Sequence, residues 1–312
     1  MGTDRPAEGG ALSIVTVTHD SRPELDAMIA SVERHLPAAE LIVVDSASSD
    51  DSPAAARAGG ANVVELEENV GYGRGSNVGV ARGSRPVTVL LNPDAELLDA
   101  SLAALADEAL REDRRERILA PLVLAADDSI EPSAQHMPTS AADVLNAVLP
   151  SGGLPQSLRW RLQPWYAERS VRVGWANGCC LVARTETLRR LGPFDERIFM
   201  YAEDLELGLR ARELGVETWF WPRARVLHRR AQSSRRAFGE EPFELLARQR
   251  RAVLRERLGP TRARVDDWVQ LTTLARRVAI RSLLGKPNER FRRELAALRR
   301  VRRESPVLSA PG

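Results

Sequence analysis

The chain has 312 residues, of which 43% are hydrophobic and 28% charged. That balance excludes wholesale disorder and leaves room for one large α/β domain with an appendage. The formal net charge of +2 hides an uneven distribution: residues 223–303 carry 24 Lys+Arg against 8 Asp+Glu, while residues 1–222 carry 21 against 34. A tail this basic would attract phosphate backbones, but it has few aromatics to stack bases and the acidic remainder repels nucleic acid, so no nucleic-acid partner is expected. The two cysteines, Cys179 and Cys180, are adjacent, which suits neither an ordinary disulfide nor a spaced metal-ligand pair; they read as small apolar fillers in a reducing compartment. No basic start, apolar run and cleavage site follow one another near the N-terminus, and nowhere do about 18 apolar residues run together. Secretion by a signal peptide and a transmembrane helix are therefore not expected, and membrane contact would be peripheral.

In chain order, residues 12–18 predict a strand, and residues 22–35 predict a helix with Leu25, Met28, Ile29 and Val32 on one face. Strands follow at 41–45, 62–66 and 87–91, with a short helix at 52–58. This alternation builds a parallel sheet, and ligands of open α/β sheets bind at the carboxyl ends of the strands, here near Thr18, Asp45, Leu66 and Leu91. A helix at 100–111 and a strand at 117–124 come next. Residues 132–170, broken by Pro and Gly, predict a partly helical insertion. Periodicity returns at 174–183, then in a helix at 203–214 stopped by Gly215, and in a strand at 216–221. Beyond His228 the chain predicts arginine-rich helix to about residue 303.

Four segments and one lone histidine carry candidate chemistry. Asp45 ends a buried strand before a Ser/Asp cluster; its carboxylate suits a nucleotide base or ribose, although Ser and Asp there also serve as helix caps. The segment Asn69-Val70-Gly71-Tyr72-Gly73-Arg74-Gly75-Ser76-Asn77 lets the backbone approach a ligand and opens a helix whose N-terminus favours phosphate; it is not the dinucleotide fingerprint. Asn92-Pro93-Asp94 places a carboxylate after a strand, where it is either a turn or a ligand for a hard divalent ion. Glu203 and Asp204 start a helix, as dipole-matching caps or as a base for a sugar hydroxyl. His228 follows the strand at 216–221 and is either a bland surface or core side chain or a second metal ligand.

Taken together, the order Thr16-Val17-Thr18-His19-Asp20, Asp45-Ser46, Asn69-x-Gly71-Tyr72-Gly73-x-Gly75-x-Asn77, Asn92-Pro93-Asp94, Gly192-x-Phe194-Asp195-Glu196, Glu203-Asp204 and His228 resembles the family 2 glycosyltransferases of the GT-A fold, over about residues 12–235. The resemblance implies a Rossmann-like mixed sheet flanked by helices. It further implies nucleotide contacts from Thr18, His19, Asp20, Asp45, Asn69, Gly71, Tyr72, Gly73, Asn77 and Asn92, Mg²⁺ or Mn²⁺ at Asp94 with help from His228, and Asp204 as base beside Glu203. Asn92 stands where many relatives have the first Asp of an Asp-x-Asp motif, which leaves Asp94 with more of the metal site. The stretches Ile130–Pro138, Val173–Val182 and Val226–Ser234 look most like bacterial cell-wall rhamnosyltransferases. Those enzymes move L-rhamnose from dTDP-L-rhamnose to polyprenyl-diphosphate-linked N-acetylglucosamine. Trp175, Asn177 and Gly178 are then candidates for the acceptor side. Other donors of the same scaffold, UDP-galactofuranose and UDP- or GDP-hexoses, stay open, since fold does not fix substrate.

The expected organisation is a disordered start at 1–10, a GT-A domain at 11–235 with a nucleotide half (11–98) and an acceptor half (99–235), a basic helical extension at 236–304, and a disordered end at 305–312. The expected reaction is direct displacement with inversion. The expected place is the cytoplasmic face of the cell membrane, reached through a basic amphipathic surface at 265–284 with Val269, Leu271, Leu274, Val278 and Leu283 among Arg276, Arg277 and Arg281. A non-catalytic basic membrane- or nucleic-acid-binding protein is the alternative of another class, and the oligomeric state is left open.

Overall fold

The computed structural model describes residues 9–112, 116–149, 154–229 and 242–304. Residues 1–8, 236–241 and 305–312, three stretches for which disorder or helical extension was expected, lie outside the described residues. Gly9 and Gly10 depart from the expected disorder. They form a turn in which the Leu12 N–H donates to the Gly9 carbonyl at 2.9 Å, and Gly9, at φ +89°, sits so close to Leu36 that an added Cβ would lie 3.2 Å from its Cβ.

Three βα units and a fourth strand come first: β1 (Leu12–Thr18), α1 (Arg22–His35), β2 (Glu40–Ser46), α2 (Ser52–Ala58), β3 (Asn62–Leu66), α3 (Gly71–Arg82) and β4 (Val87–Leu91). The chain continues through β5 (Ala95–Leu97), α4 (Ser101–Ala109), β6 (Arg117–Ala125), β7 (Ala134–Gln135), α5 (Ala141–Val148), α6 (Gln156–Arg159), a 3₁₀ turn at Pro164–Tyr166, β8 (Val171–Val173), β9 (Trp175–Ala176) and β10 (Cys180–Arg184). It closes with α7 (Thr185–Leu191), α8 (Glu203–Glu213), β11 (Glu217–His228), α9 (Phe243–Leu283) and α10 (Glu289–Val301). Among the described residues nine strands share one sheet in the order β3-β2-β1-β4-β10-β6-β11-β5, with β8 also on β11. β3, β2, β1 and β4 are parallel, and β10 runs antiparallel to both β4 and β6, so the sheet is mixed rather than wholly parallel.

Both faces of β1 are covered: all of its residues are buried, Ser13, Thr16 and Thr18 included, and its apolar residues Leu12, Ile14, Val15 and Val17 divide between the two faces. Leu12 and Ile14 pack with Leu25, Met28 and Ile29 of α1, whereas Val15 and Val17 pack with Val80 of α3, Leu188 of α7 and Leu207 of α8. Gly75 and Gly79 permit the close approach of α3 to β1: a Cβ on Gly79 would stand 2.2 Å from a Val15 methyl. These two glycines therefore serve packing.

Two expected strands are redrawn. The periodicity at 174–183 resolves into β9, which pairs with β7 in a separate two-stranded sheet, and β10 in the main sheet. The strand expected at 216–221 runs on to His228, with an irregularity in its pairing between Trp221 and Arg225. Pro222 lies in that interval and has no N–H for a ladder, which is why the sequence pattern seemed to stop there.

Candidate active site

A cavity of about 880 Å³ opens where β1 and β4 end, and Thr18, His19, Ser46, Asn69, Gly71, Tyr72 and Asn92 are among its lining residues. One edge is a set of short polar links between strand ends. His19 Nδ1 lies 2.8 Å from the Ser46 carbonyl, Ser46 Oγ accepts from the Val70 N–H at 2.9 Å, and Asn69 Oδ1 accepts from the Gly71 N–H at 3.0 Å. Gly71 takes φ +78°, and a Cβ there would fall 2.1 Å from the Phe199 carbonyl oxygen, so this position needs glycine for conformation and for space.

Four expected nucleotide residues do not line the cavity. Asp45 is buried with both carboxylate oxygens on Ser48, at 2.5 Å to its Oγ and 3.0 Å to its N–H. Asp20, at φ 48°, accepts from the Ser49 N–H at 2.6 Å and the Asp50 N–H at 3.3 Å. Asn77 clamps Phe194, accepting from its N–H and donating to its carbonyl, each at 2.9 Å. Gly73 makes room for the same Phe194, whose Cβ would lie 3.0 Å from an added one. Asp45, Asp20 and Asn77 satisfy backbone groups of neighbouring loops and Gly73 leaves space for a side chain, uses that sequence order does not distinguish from ligand contact.

Opposite this edge, strand pairing assembles a charged cluster. β5 runs antiparallel to β11 with Ala95 opposite His228, so Asp94, one residue before β5, meets the imidazole. His228 Nε2 lies 3.2 Å from Asp94 Oδ1, and Nδ1 lies 3.2 Å from Glu131 Oε2. His228 is thus the last residue of a strand and is buried, not a surface side chain following one. Burial alone would lower its pKa, but Cys179, Asp94 and Glu131 outweigh burial and raise it. Cys179 is correspondingly more than a filler: it lines the cavity and its thiol contacts His228. Cys180 packs in the core as expected.

The chemistry of this donor set fits a divalent ion. A carboxylate oxygen and an imidazole nitrogen face each other on the cavity wall, and the other ring nitrogen is held by a second carboxylate, the outer partner that fixes a ligating histidine's tautomer. Among the described residues no group of three or more His, Cys, Asp or Glu side chains is arranged to hold a metal. Any ion at Asp94 and His228 would therefore draw its remaining ligands from water or substrate oxygens.

The third wall is the start of α8. Tyr201 (φ 68°) and Ala202 (φ 64°) both adopt left-handed conformations just before it, a costly arrangement for non-glycine residues that turns Glu203 and Asp204 toward the cavity. Asp204 Oδ2 accepts from the Gly178 N–H at 3.0 Å and Oδ1 from the Leu205 N–H at 2.7 Å. Tyr72 donates to the Gly178 carbonyl at 3.0 Å, so one glycine ties the polar edge to the carboxylate. Burial pushes the Asp204 carboxyl above its ordinary value, while the Gly178 and Leu205 amides and Arg250 pull it back. Burial and the adjacent Asp204 charge push Glu203 up to about 8, and one of its oxygens has no hydrogen-bond partner. Trp175 and Asn177 also line the cavity. Trp175 packs so tightly on α8 that a Cβ on Gly208 would approach its Cβ to 2.4 Å, and Asn177 Oδ1 accepts from the Cys179 N–H at 2.9 Å.

The fourth wall comes from the basic extension: Pro242, just before α9, Phe243, Leu246 and Arg250 at the start of α9, and Arg290 of α10 line the cavity. Arg250 grips Asp266 through two bonds of 2.8 and 2.7 Å. Val253, Leu254 and Ala263 share a core with Ile198, Leu205 and Leu209, and Arg257 pairs with the buried Glu206 of α8. A boundary at 235 would divide this core.

The amphipathic surface expected at 265–284 is also redrawn. Val269 and Leu274 are buried, and Leu271, Leu274 and Val278 pack with Phe291, Leu295 and Leu298 of α10. Arg277 and Arg281 lie over the Phe291 ring. The stripe is mostly the seam of a helix pair; of Val269, Leu271, Leu274, Val278 and Leu283 the last alone is exposed, while Val265, Trp268, Ile280 and Leu284 of the same segment are exposed outside the seam.

Residues 13–116 match the model of glycosyl transferase family 2. Over 261 residues, 76% of this chain and 80% of the relative, the sequence is 32% identical to the N-acetylglucosaminyl-diphospho-decaprenol L-rhamnosyltransferase of Mycobacterium tuberculosis. The chain belongs to glycosyl transferase family 2. Its fold is that of solved glycosyltransferases: a mannosyltransferase from Pyrobaculum calidifontis in complex with GDP-Man and Mn²⁺ superposes with a TM-score of 0.59 at 16% identity, covering 96% of this chain and 90% of that one. The structure of GalNAc-T7 with UDP, GalNAc and Mn²⁺ gives 0.54 at 18% identity, over 78% of this chain and 48% of that one. The protein is thus a glycosyltransferase with a GT-A fold and added C-terminal helices. Within this glycosyltransferase, sequence reasoning assigned no role to Glu131 and Arg250. Glu131 stood in a quoted stretch but reaches His228 across 97 positions, and Arg250 was one arginine among many in the tail.

Proposed function

We propose that this glycosyltransferase transfers L-rhamnose from dTDP-L-rhamnose to a lipid-linked N-acetylglucosamine or a related cell-wall acceptor, with inversion and with the help of Mg²⁺ or Mn²⁺. The observation that carries the reading is one cavity holding two distinct centres: the Asp94–His228 pair, and the Asp204 carboxylate held by the Gly178 and Leu205 amides. The identity of the Mycobacterium tuberculosis relative supports the choice of donor and acceptor. The Mn²⁺ named with both structural neighbours supports a divalent ion.

Asp204 takes the proton from the acceptor hydroxyl, whose oxygen forms a bond to the anomeric carbon as the bond from that carbon to the diphosphate breaks. Displacement from the opposite face inverts the centre, so dTDP-β-L-rhamnose would give an α-L-rhamnoside. Asp94 and His228 would hold the ion, and Glu131 fixes the imidazole's orientation. When bound, the ion neutralises charge on the departing diphosphate. Burial and the Asp204 charge raise the Glu203 carboxyl, whereas Asp204 has the Gly178 and Leu205 amides to hold its charge, which favours Asp204 as the proton acceptor. Thr18, His19, Asn69, Tyr72 and Asn92 form the donor edge, and Trp175, Asn177 and Gly178 the acceptor side. The protein would act peripherally at the cytoplasmic face of the membrane, where such an acceptor is found; among the described residues no helix is long and apolar enough to cross a membrane.

The test is a panel of nucleotide sugars, dTDP-L-rhamnose, UDP-galactofuranose and UDP- and GDP-hexoses, against a short polyprenyl-diphosphate N-acetylglucosamine. Asp204→Asn is expected to lower kcat by about 10²-fold or more with donor affinity nearly unchanged, and Asp94→Ala and His228→Ala to weaken donor binding and the response to added metal together. Transfer by Asp204→Asn within about tenfold of wild type would remove the base. Full activity in EDTA would remove the ion.

A further inference from the structure

The surface carries exposed apolar side chains in a pattern that the catalytic reading does not use. Of the 11 large hydrophobic residues exposed among the described residues, six fall in two triplets, Leu145, Val148 and Leu149 on and after α5, and Ile280, Leu283 and Leu284 at the end of α9. Each triplet has the i, i+3, i+4 spacing of a single helix face. Leu283 and Leu284 are 86% and 62% exposed, far more than isolated surface leucines require, and contiguous exposure of this kind marks an interaction surface.

One side chain joins the triplets. Arg276 donates to the Asn146 carbonyl at 2.8 Å and to the Leu149 carbonyl, capping the end of α5 from α9. Ile280 lies one turn beyond Arg276 on the same face, and Leu283 and Leu284 one turn beyond that, so the apolar strip of α5 runs on into that of α9. The chain around the end of α9 is cationic: residues 276–293 contain seven Lys or Arg and a single acid, Glu289. Arg277 and Lys286 are exposed. The turn after α9 is fixed, with Arg281 Nε donating to the Pro287 carbonyl at 2.6 Å and Asn288 Nδ2 to Ser282 Oγ at 2.6 Å. Arg290, six residues beyond Leu284, lines the cavity.

We propose that α5 and the end of α9 form a two-helix foot that inserts its leucines into an anionic lipid surface and sets the cavity beside the headgroups. The insertion at 132–170 thus acquires a role, as the partner of the basic extension. Apolar side chains beside Arg and Lys complement anionic headgroups. A second copy of the chain meeting the same patch would bring one cationic segment against another, which disfavours that occupant. The inference rests on the reading of a lipid-linked acceptor, whose chain would stay in the bilayer while its sugar passes Arg290 toward Asp204.

Flotation of the full chain with vesicles of phosphatidylcholine alone, or with phosphatidylglycerol added, tests the foot. Two double variants are compared with wild type: Leu283→Ser with Leu284→Ser, and Val148→Ser with Leu149→Ser. Wild type should bind the anionic vesicles and release them as salt rises. Each double variant should bind about tenfold less or weaker still, with its thermal transition and its transfer to a short water-soluble acceptor unchanged. Anionic-vesicle binding by the variants equal to wild type would overturn the proposal. So would equal wild-type binding to both vesicle types, or a wild-type dimer in sedimentation velocity that the variants dissolve. If vesicle binding behaves as expected but no polyprenyl-linked acceptor is used, the foot stands and the acceptor assignment falls.

Discussion

Burial separates the two adjacent carboxylates at the start of α8. Asp204 has two backbone N–H groups to hold its charge, whereas Glu203, 9% exposed, has an oxygen with no partner and rises to about 8. A carboxyl whose pKa is raised on folding binds more protons in the native than in the unfolded state between the two values, so stability falls as pH rises through that window. Wild type should therefore lose stability between about pH 4.5 and 8 on account of Glu203. Glu203→Gln, which cannot ionise, should show a shallower decline and be the more stable protein above pH 8, by an amount of the order of a few kcal/mol. Urea unfolding of both proteins from pH 5 to 9 gives the comparison. Parallel curves would mean that Glu203 is as solvated folded as unfolded.

At the scale of elements, the site depends on how closely α3 and the loop before α8 approach. Gly71 opens α3 at φ +78° with the Phe199 carbonyl in the space a Cβ would fill, at 2.1 Å, and the same loop carries the left-handed Tyr201 and Ala202. Replacing Gly71 by alanine adds backbone strain and a steric conflict with main chain that no rotamer relieves. Gly71→Ala is expected to cost about 2 kcal/mol or more and to raise the donor KM, because the shifted loop carries the residues that precede Glu203. Gly60, also at positive φ (+76°) but with nothing within 4 Å, is the control: alanine there should cost stability through φ alone and leave KM unchanged. An equal KM effect at both sites would dissociate the loop approach from donor binding.

For the whole molecule, the extension is built into the catalytic unit. Arg257 pairs with Glu206, which is 2% exposed and also held by Arg210, and Val253 and Leu254 sit in one core with α8. Ending the chain near Gly259, where α9 breaks at φ 85° and ψ 167°, removes the buried Asp266 from the partly buried Arg250, which faces the cavity, and uncovers that core. Leaving a buried charge unpaired is strongly destabilising. The truncated protein is expected to lose its cooperative thermal transition, as followed by circular dichroism. A truncated chain that melts as wild type would show the GT-A unit to be independent of its tail. The same dependence is why point changes on exposed leucines, rather than truncation, test the membrane surface.

The first four strands, their helices and the positions of Thr18, Asn69, Asn92, Asp94 and Asp204 at strand ends or helix starts were legible in the sequence, because short β-branched runs bounded by turn residues and period-3.6 apolar faces are local signals. The family was legible too, since its motifs keep their order along the chain. What only the tertiary structure decided are relations between distant segments: Glu131 on His228, Arg250 near Asp204, and the antiparallel pairing of β5 with β11 that brings Asp94 to the imidazole. The stripe at 265–284 shows the limit from the other side. Its periodicity correctly marks a helix with an apolar face, but a face covered by α10 and one offered to solvent have the same spacing, and only the partner's position distinguishes them.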